Sequence, residues 1–535
     1  MPIFAAALVW MCFSFPVNPA SAQDDLPLHT TLSTTAPTPP MGWAGWNRYL
    51  CDYDESTIRE QADALVSSGM RELGYRYVLI QECIAPRRNP DGTLFIDPVR
   101  FPHGLKALVD FIHSRNLKAG IYTDVGAHTC FGEPFYQGSF DHEDIDAASF
   151  ASWRFDFIEM DYCDRPPGHS GREIYERMAA SIRKTGRPML LYICSWGNEQ
   201  PWEWAQGVAG LWRTDQDISW EKNHVTWDRV ILNFESNAHH AVFSAPNSWN
   251  DPDMLEIGNT GLSPDEMRSH FSMWVMSAAP LWASTDLVHM DRFTRSILTN
   301  AEVIAVDQDP LGAQATKAQE DERGLEVWAK PLGSKSSGQL AVLLLNLQNK
   351  PARMRVRWSN LGLQSYAGVR DLWAQTKLLI FQDGYEATVP SHGSVLLAVS
   401  GQFSWAQGAT YEAEWPGNLR TGNTRLLECS VCSQGYAISL LGASQPDRAS
   451  VAFRHITVPE KGEYFLTINY LNSGLGPTPV EVQVNATAPV KVDLMPRLVG
   501  GQSIGVQLSA GENVIQLFYS GPTHADIDSI RISRN

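Results

Sequence analysis

The sequence predicts an α/β chain in three parts: a (β/α)8 TIM barrel over residues 36–314, an antiparallel β-sandwich over 315–400, and a C-terminal β-sandwich of jelly-roll type over 409–535. Two observations carry this reading. From Pro39 to about Gly312, eight short apolar runs alternate with stretches of helical periodicity, the pattern of repeated β–α units. Beyond Ala315 the pattern becomes apolar–polar alternation broken by Gly, Pro and Asn turns, as antiparallel strands require. A chain of 535 residues also exceeds what one hydrophobic core usually organises, so several domains are expected.

In chain order, residues 1–22 read as a secretory signal. An apolar run over 3–15 precedes Ala20-Ser21-Ala22, a small-x-small cleavage site, and the run is too short to span a bilayer. The barrel strands are predicted at 41–46, 75–82, 117–124, 155–161, 188–194, 210–217, 248–255 and 281–287. A helix is predicted over 56–70, where Ile58, Ala62, Leu65, Val66 and Met70 recur on one face behind an Asp54/Ser56 cap. Strands follow at 340–345, 353–358 and 394–399, then a linker at 402–408 and a final all-β block rich in Val, Thr and Gly.

Composition narrows the partners. The net charge of −17 argues against nucleic acid and anionic membranes. The 18 Trp suit a protein that stacks on the apolar faces of sugar rings, although most Trp simply packs. Of eight cysteines, Cys12 would leave with the signal. Five more (Cys51, Cys83, Cys130, Cys163 and Cys194) lie in the barrel region, and Cys429-x-x-Cys432 reads as a tight disulfide loop rather than half a zinc site. Secretion or export to a periplasm is expected.

The chemistry is expected at strand ends, where a barrel of this kind carries its active site. The segment Phe155–Cys163 reads as an apolar strand ending on Asp161, and Trp212-Arg213 leads to Asp217. Two carboxylates on separate strand ends, one beside an arginine, suit cleavage of a sugar–oxygen bond. One carboxylate attacks or stabilises the anomeric carbon, and the other, protonated, supplies a proton to the leaving oxygen.

The motifs Met41-Gly42-Trp43-Ala44-Gly45-Trp46, Gly120-Ile121-Tyr122-Thr123-Asp124, Met160-Asp161-Tyr162-Cys163, Trp212-Arg213-x-x-x-Asp217-Ile218 and Trp249-Asn250-Asp251-Pro252-Asp253-Met254-Leu255 stand in register over about 280 residues. Together they resemble glycoside hydrolase family 27, the melibiase or α-galactosidase family. That resemblance implies a retaining hydrolase of terminal α-galactosides that needs no cofactor for catalysis, with Asp161 as nucleophile and Asp217 as acid/base. It implies that Trp46, Tyr122, Cys194, Trp196, Arg213, Asp253 and Met254 contact an oligo- or polysaccharide substrate. It also implies the bridges Cys51–Cys83 and Cys130–Cys163. Asp124 is expected to anchor the barrel rim, Asp215 to be a loop residue, and Trp43 and Asp251 to be as much structural as functional.

Three pocket positions depart from the family pattern. Gln81-Glu82 stands where an Asp-Asp pair is usual, Glu159 where a Lys is usual, and Cys194-Ser195-Trp196 where Cys-Glu-Trp is usual. Gln81 can donate where Asp only accepts. Glu82 is a methylene longer and is expected to crowd the hydroxymethyl of galactose. Glu159 reverses a charge beside Asp161, and Arg87 or Arg88 is expected to supply the missing cation. β-L-Arabinopyranosides, isomalto-linked glucans and a non-catalytic sugar-binding role therefore stand as alternatives.

Finally, Tyr411-Glu412-Ala413-Glu414, Cys429–Gly435 and Asp526-Ile527-Asp528-Ser529-Ile530 resemble a carbohydrate-binding module of family 35 type. The resemblance implies a structural calcium held by Glu412, Glu414 and Asp528, oxygen donors of the kind that ion takes.

Overall fold

The computed structural model describes residues 36–131, 136–321, 323–441, 448–519, 521 and 524–534; the predicted signal segment lies outside them. Among the described residues eight parallel strands form one sheet: β1 (Met41–Ala44), β2 (Tyr77–Ile80), β3 (Lys118–Asp124), β4 (Phe157–Asp161), β5 (Leu190–Cys194), β6 (Leu211–Arg213), β7 (Trp249–Asp251) and β8 (Leu281–Ala283). Ladders join each strand from β1 to β7 to the next, and β8 to β1. The last seam, between β7 and β8, closes through a single parallel bridge, Leu255 to Ala283. Each of the eight predicted strands is present, and several are shorter than expected. β6 ends at Arg213 rather than 217, and β7 at Asp251 rather than 255. Past those points the backbone leaves the ladder and turns, which frees it to aim side chains over the barrel mouth.

Period-two alternation divides these strands between two cores. On β4, Ile158 and Met160 point outward to the helix layer, while Phe157 points inward. Phe157 packs against Tyr77 (5.5 Å), Trp282 (5.4 Å) and Tyr192 (6.0 Å). The barrel interior is therefore plugged by aromatic rings rather than open as a pore. Gly42 is required here: a Cβ on it would lie 2.4 Å from the Tyr77 carbonyl oxygen.

The outer helices are α1 (Glu55–Ser67), α2 (Gly104–Ser114), α3 (Glu143–Trp153), α4 (Gly171–Thr185), the single turn α5 (Pro201–Trp204), α6 (Trp227–Ala238), α7 (Pro264–Met276) and α8 (Ala301–Asp307). As predicted, α1 starts on Asp54, whose carboxylate accepts from Thr57 N while the Thr57 hydroxyl accepts from Asp54 N, a reciprocal cap. Its face of Ile58, Ala62 and Leu65 is buried.

Residues 316–403 form a six-stranded antiparallel sheet with a separate two-stranded ribbon (Ala352–Arg357 with Gly384–Val389). The expected linker is corrected: the strand Ser394–Phe403 runs into it, and only a short turn separates it from Ala409–Glu412. Residues 409–533 form two antiparallel sheets, of six and five strands, around one apolar core. This last sandwich packs onto the barrel. Trp415 Nε1 donates to Ser244 O (3.0 Å), Tyr436 OH donates to Glu203 of α5 (3.2 Å), and the Tyr436 ring meets Phe243 at 4.9 Å. Among the described residues no helix is long and apolar enough to cross a membrane.

Candidate active site

The inward-facing positions at the strand ends converge on one cavity of about 280 Å3. Its walls include Trp46, Gln81, Glu82, Tyr122, Glu159, Asp161, Cys194, Trp196, Arg213, Asp217, Asp253 and Met254. All twelve residues expected there from sequence are brought together. For the residues on strands the reason is local: Glu159 and Asp161 share the inward parity of Phe157 on β4, as Tyr122 does on β3 and Arg213 does on β6.

Asp161 lies at the cavity wall. Its Oδ2 accepts from Tyr122 OH (2.8 Å) and its Oδ1 from Tyr162 N (2.9 Å). Burial, and then the charge of Asp217, raise its pKa to about 7. Burial also raises Asp217, against the pull of Arg213. Each acid makes the other harder to ionise, so the first proton to leave belongs to the pair. Arg213 is buried and divides its guanidinium between Asp217 Oδ1 (3.1 Å) and Asp253 Oδ2 (3.1 Å), and donates to Asp215 O (3.0 Å). Asp253 also accepts from Ile218 N (2.7 Å), which ties the loop carrying Asp217 to the end of β7.

Several pocket residues hold a backbone conformation that non-glycine residues rarely adopt: φ is +31° at Glu82, +53° at Trp196 and +91° at Asp253. Such strain concentrates where a side chain must be aimed. The Trp196 indole N–H is buried without a hydrogen-bond partner, and the residue lines the cavity. Cys194 is buried and unbridged, with its sulfur 3.7 Å from Arg213 Nη1.

The departures resolve into specific contacts. Gln81 Oε1 accepts from Trp46 N (3.0 Å), which orients the amide so that Nε2 donates to Glu159 Oε2 (3.0 Å). Burial, with the charge of Asp161 behind it, raises Glu159 to about 8. It is therefore a neutral acid at neutral pH. The expected arginine compensation is corrected. Arg88 is held by both oxygens of Asp146 (2.8 and 2.7 Å), and Arg87 stacks on Phe95 at 3.6 Å. Neither lines the cavity, because the hairpin carrying them turns away from it; protonation does what a cation was expected to do. Glu82 is directed into the 129–131 loop, accepting from Phe131 N, and burial raises it to about 7.

Around the pocket, Cys51–Cys83 and Cys130–Cys163 are bridged, as is Cys429–Cys432. Asp124 anchors the rim: its oxygens accept from Gly126 N (2.8 Å) and Cys163 N (3.1 Å). Asp251 accepts from Asp253 N (2.8 Å) and Trp282 Nε1 (3.2 Å), a supporting role. Asp215 binds its own loop at Gln216 N (2.6 Å). Sequence reasoning did not single out Leu50, Phe131 or Trp220, which also line the cavity. The available signal for Trp220 was a lone large apolar residue inside a polar turn (Ser219, Glu221, Lys222, Asn223).

In the C-terminal sandwich, Ser433 Oγ bonds Glu412 Oε2 (2.6 Å) and Asp528 Oδ1 (2.9 Å). Glu414 is buried with neither carboxylate oxygen partnered. Among the described residues one set of three ligand-type side chains converges within 4.8 Å, Asp124 with Cys130 and Cys163, and those sulfurs are bonded to each other. Glu412, Glu414 and Asp528 do not form such a set.

A parallel barrel with two half-buried carboxylates of raised pKa and an arginine over its mouth is the framework of a glycoside hydrolase. The comparisons agree. Residues 38–309 match the model of the α-galactosidase A family, and residues 322–399 match the α-galactosidase C-terminal β-sandwich domain. A probable α-galactosidase of Dictyostelium discoideum is 41% identical over 368 residues, covering 68% of this chain and 92% of the relative. The crystal structure of α-galactosidase I from Mortierella vinacea superposes with a TM-score of 0.65 at 34% identity, covering 69% of this chain and 98% of that one. An Arthrobacter globiformis isomalto-dextranase, solved with panose, aligns over 95% of this chain and 99% of its own with a TM-score of 0.66; at 16% identity it shows a shared fold alone. The chain belongs to the α-galactosidase (melibiase) family of glycoside hydrolases.

Proposed function

We propose that this chain is a secreted, retaining exo-glycosidase that releases terminal α-galactosyl residues by double displacement. The observation that carries the reading is the half-buried Asp161–Asp217 pair over the barrel mouth, each acid with its pKa raised. In the first step Asp161 Oδ attacks the anomeric carbon while the bond to the leaving oxygen breaks and Asp217 gives that oxygen its proton. Tyr122 OH and Tyr162 N stabilise Asp161 as the attacking anion. In the second step Asp217, now ionised, takes a proton from water as the water oxygen attacks the anomeric carbon and the ester bond to Asp161 breaks. Arg213 and Asp253 are read as groups that orient ring hydroxyls, Trp46 and Trp196 as the walls against the ring's apolar face. The three disulfides support maturation in an oxidising compartment.

The test has two arms. Asp161→Asn should lower turnover on the order of 10³-fold or more, since an amide forms no ester intermediate. Asp217→Ala should spare aryl substrates with good leaving groups more than sugars, and azide should rescue it with an α-configured azide product. Equal losses on both substrate types without rescue would remove Asp217 from the acid/base role.

Gln81, Glu82 and Glu159 favour a second reading of the glycone within the same chemistry. A β-L-arabinopyranoside or an isomalto-linked glucoside would meet a neutral acid and an amide where galactose usually meets two carboxylates and a lysine. Aryl α-galactoside, β-L-arabinopyranoside, α-glucoside and α-N-acetylgalactosaminide distinguish these readings by kcat/KM. Sugar binding without turnover on any of them would instead indicate a binding protein.

The C-terminal sandwich is read as a sugar-binding module of family 35 type with a structural calcium. The unpartnered, buried Glu414 carboxylate fits a cation, and the charges of Glu412 and Asp528, which act on it without converging into one ligand set, would favour such an ion.

A further inference from the structure

Trp220 stands three residues beyond Asp217 and lines the mouth of the same cavity, yet 69% of its surface is exposed. Among the described residues no other aromatic ring packs against it. A mobile loop would fold such a side chain down, because apolar surface left in water costs free energy. This loop is fixed instead. Glu221 N donates to Ser219 Oγ (3.1 Å), and Glu221 pairs with His224 in an antiparallel bridge. Lys222 pairs with Asp52 (2.8 Å) on the loop after β1, where Asn47 O also accepts from Asn223 N. Val225 N donates to Thr260 O (3.0 Å) on the loop after β7. The turn is tied on both sides, and its indole is held out at the cavity entrance.

Position relative to the chemistry then decides what the indole meets. The acid/base protonates the exocyclic oxygen, so the departing group lies on the entrance side of Asp217, away from the ring held near Asp161. Trp220 lines the same cavity with most of its surface exposed to solvent, next in the chain after the Asp217-Ile218-Ser219 turn.

We propose that Trp220 is the platform of a leaving-group subsite, stacking on the apolar face of a pyranose that carries the scissile oxygen. The preferred substrates are accordingly oligosaccharides with a sugar leaving group. The subsite also serves the second step: a bound acceptor sugar competes with water, its hydroxyl oxygen attacking the anomeric carbon as Asp217 takes the hydroxyl proton and the ester bond to Asp161 breaks. The product is then a new glycoside rather than the free sugar. This inference rests on the reading of Asp161 and Asp217 as the catalytic pair.

The experiment compares native protein, Trp220→Ala and Trp220→Tyr on two substrates with the glycone selected by the aryl panel. One is a disaccharide. The other is the glycosyl fluoride, whose leaving group has no ring to stack. Trp220→Ala should lose about tenfold more kcat/KM on the disaccharide than on the fluoride, the scale of one good ring contact. The Tyr variant should recover most of that difference. Trp220→Ala should also lower the ratio of transfer to hydrolysis when an acceptor sugar is added. Equal changes on both substrates, with an unaltered transfer ratio, would overturn the subsite while leaving the catalytic pair intact. Native protein that turns over neither substrate would overturn the catalytic reading and the subsite together.

Discussion

Glu159 shows how one buried side chain sets pH behaviour. It replaces a cation with an acid two residues before Asp161 and survives burial by staying protonated, with Gln81 Nε2 donating to its free carbonyl oxygen. Its pKa is raised from 4.5 to about 8 in the fold. The unfolded chain releases that proton near 4.5, whereas the folded chain keeps it until about 8. Burial of Glu159 is therefore without penalty below 4.5 and costs increasing stability as the pH rises from 4.5 towards 8. Glu159→Gln keeps an acceptor for Gln81 and removes the titration. Its stability relative to the native chain should improve steadily between pH 5 and pH 8, as read by urea denaturation. A difference independent of pH would mean that Glu159 ionises in the fold and meets a cation after all.

At the scale of elements, α7 shows how a helix start also fastens two domains. Ser263 and Glu266 cap each other, with Glu266 Oε2 accepting from Ser263 N (2.7 Å), while Glu266 Oε1 meets His392 Nδ1 (2.6 Å) on the central sandwich. The His392 ring stacks on Trp227 at the start of α6, 5.3 Å away. Burial pushes Glu266 up, but the bonds from Ser263 and His392 outweigh it and leave its pKa below the usual carboxylate value. Its contribution is thus present above that value and lost as the pH falls through the lowered one. Glu266→Ala should cost about 1–2 kcal/mol at pH 7, the sum of a lost cap and a partly buried contact. The loss should shrink in acid. Denaturant melts at pH 7 and pH 4 check both statements; a cost that does not change with pH would assign it to packing.

Across the whole molecule, the C-terminal sandwich is packed against the barrel at the loops that lead into β6 and β7. Gln206, just past α5, donates to Pro416 O (2.8 Å), and Lys335 of the central sandwich donates to Thr410 O (3.1 Å). The proposed calcium lies in this sandwich, so its binding free energy should add to the stability of the folded chain. Saturating calcium should raise the melting temperature by a few degrees over a chelator control, on the order expected for a ligand at 100-fold excess over its Kd. Glu414→Gln should abolish that response. Identical melting curves with calcium and with chelator would show that Glu414 is kept neutral by protonation instead, the direction in which burial already pushes its pKa.

By itself the sequence determined the alternation of strands and helices and the parity that turns Gln81, Tyr122, Glu159, Asp161 and Arg213 into the barrel, while the rest of the twelve cavity residues were expected from the family resemblance. Those features are periodic and local: a strand's inward face follows from its neighbours in the chain. Where the strands ended was less legible, because β6 and β7 stop where contacts between Thr214, Asp251 and Asn237 take over from the ladder. Only the tertiary structure decided which partner each polar group finds. Arg88 was close in sequence to Glu82 and went to Asp146, Glu82 turned into the 129–131 loop, and Gln81 became the donor to Glu159. Trp220 became an entrance residue because two distant loops hold its turn in place. Such choices depend on groups brought together from far along the chain, and on burial that makes each buried charge find a partner or a proton.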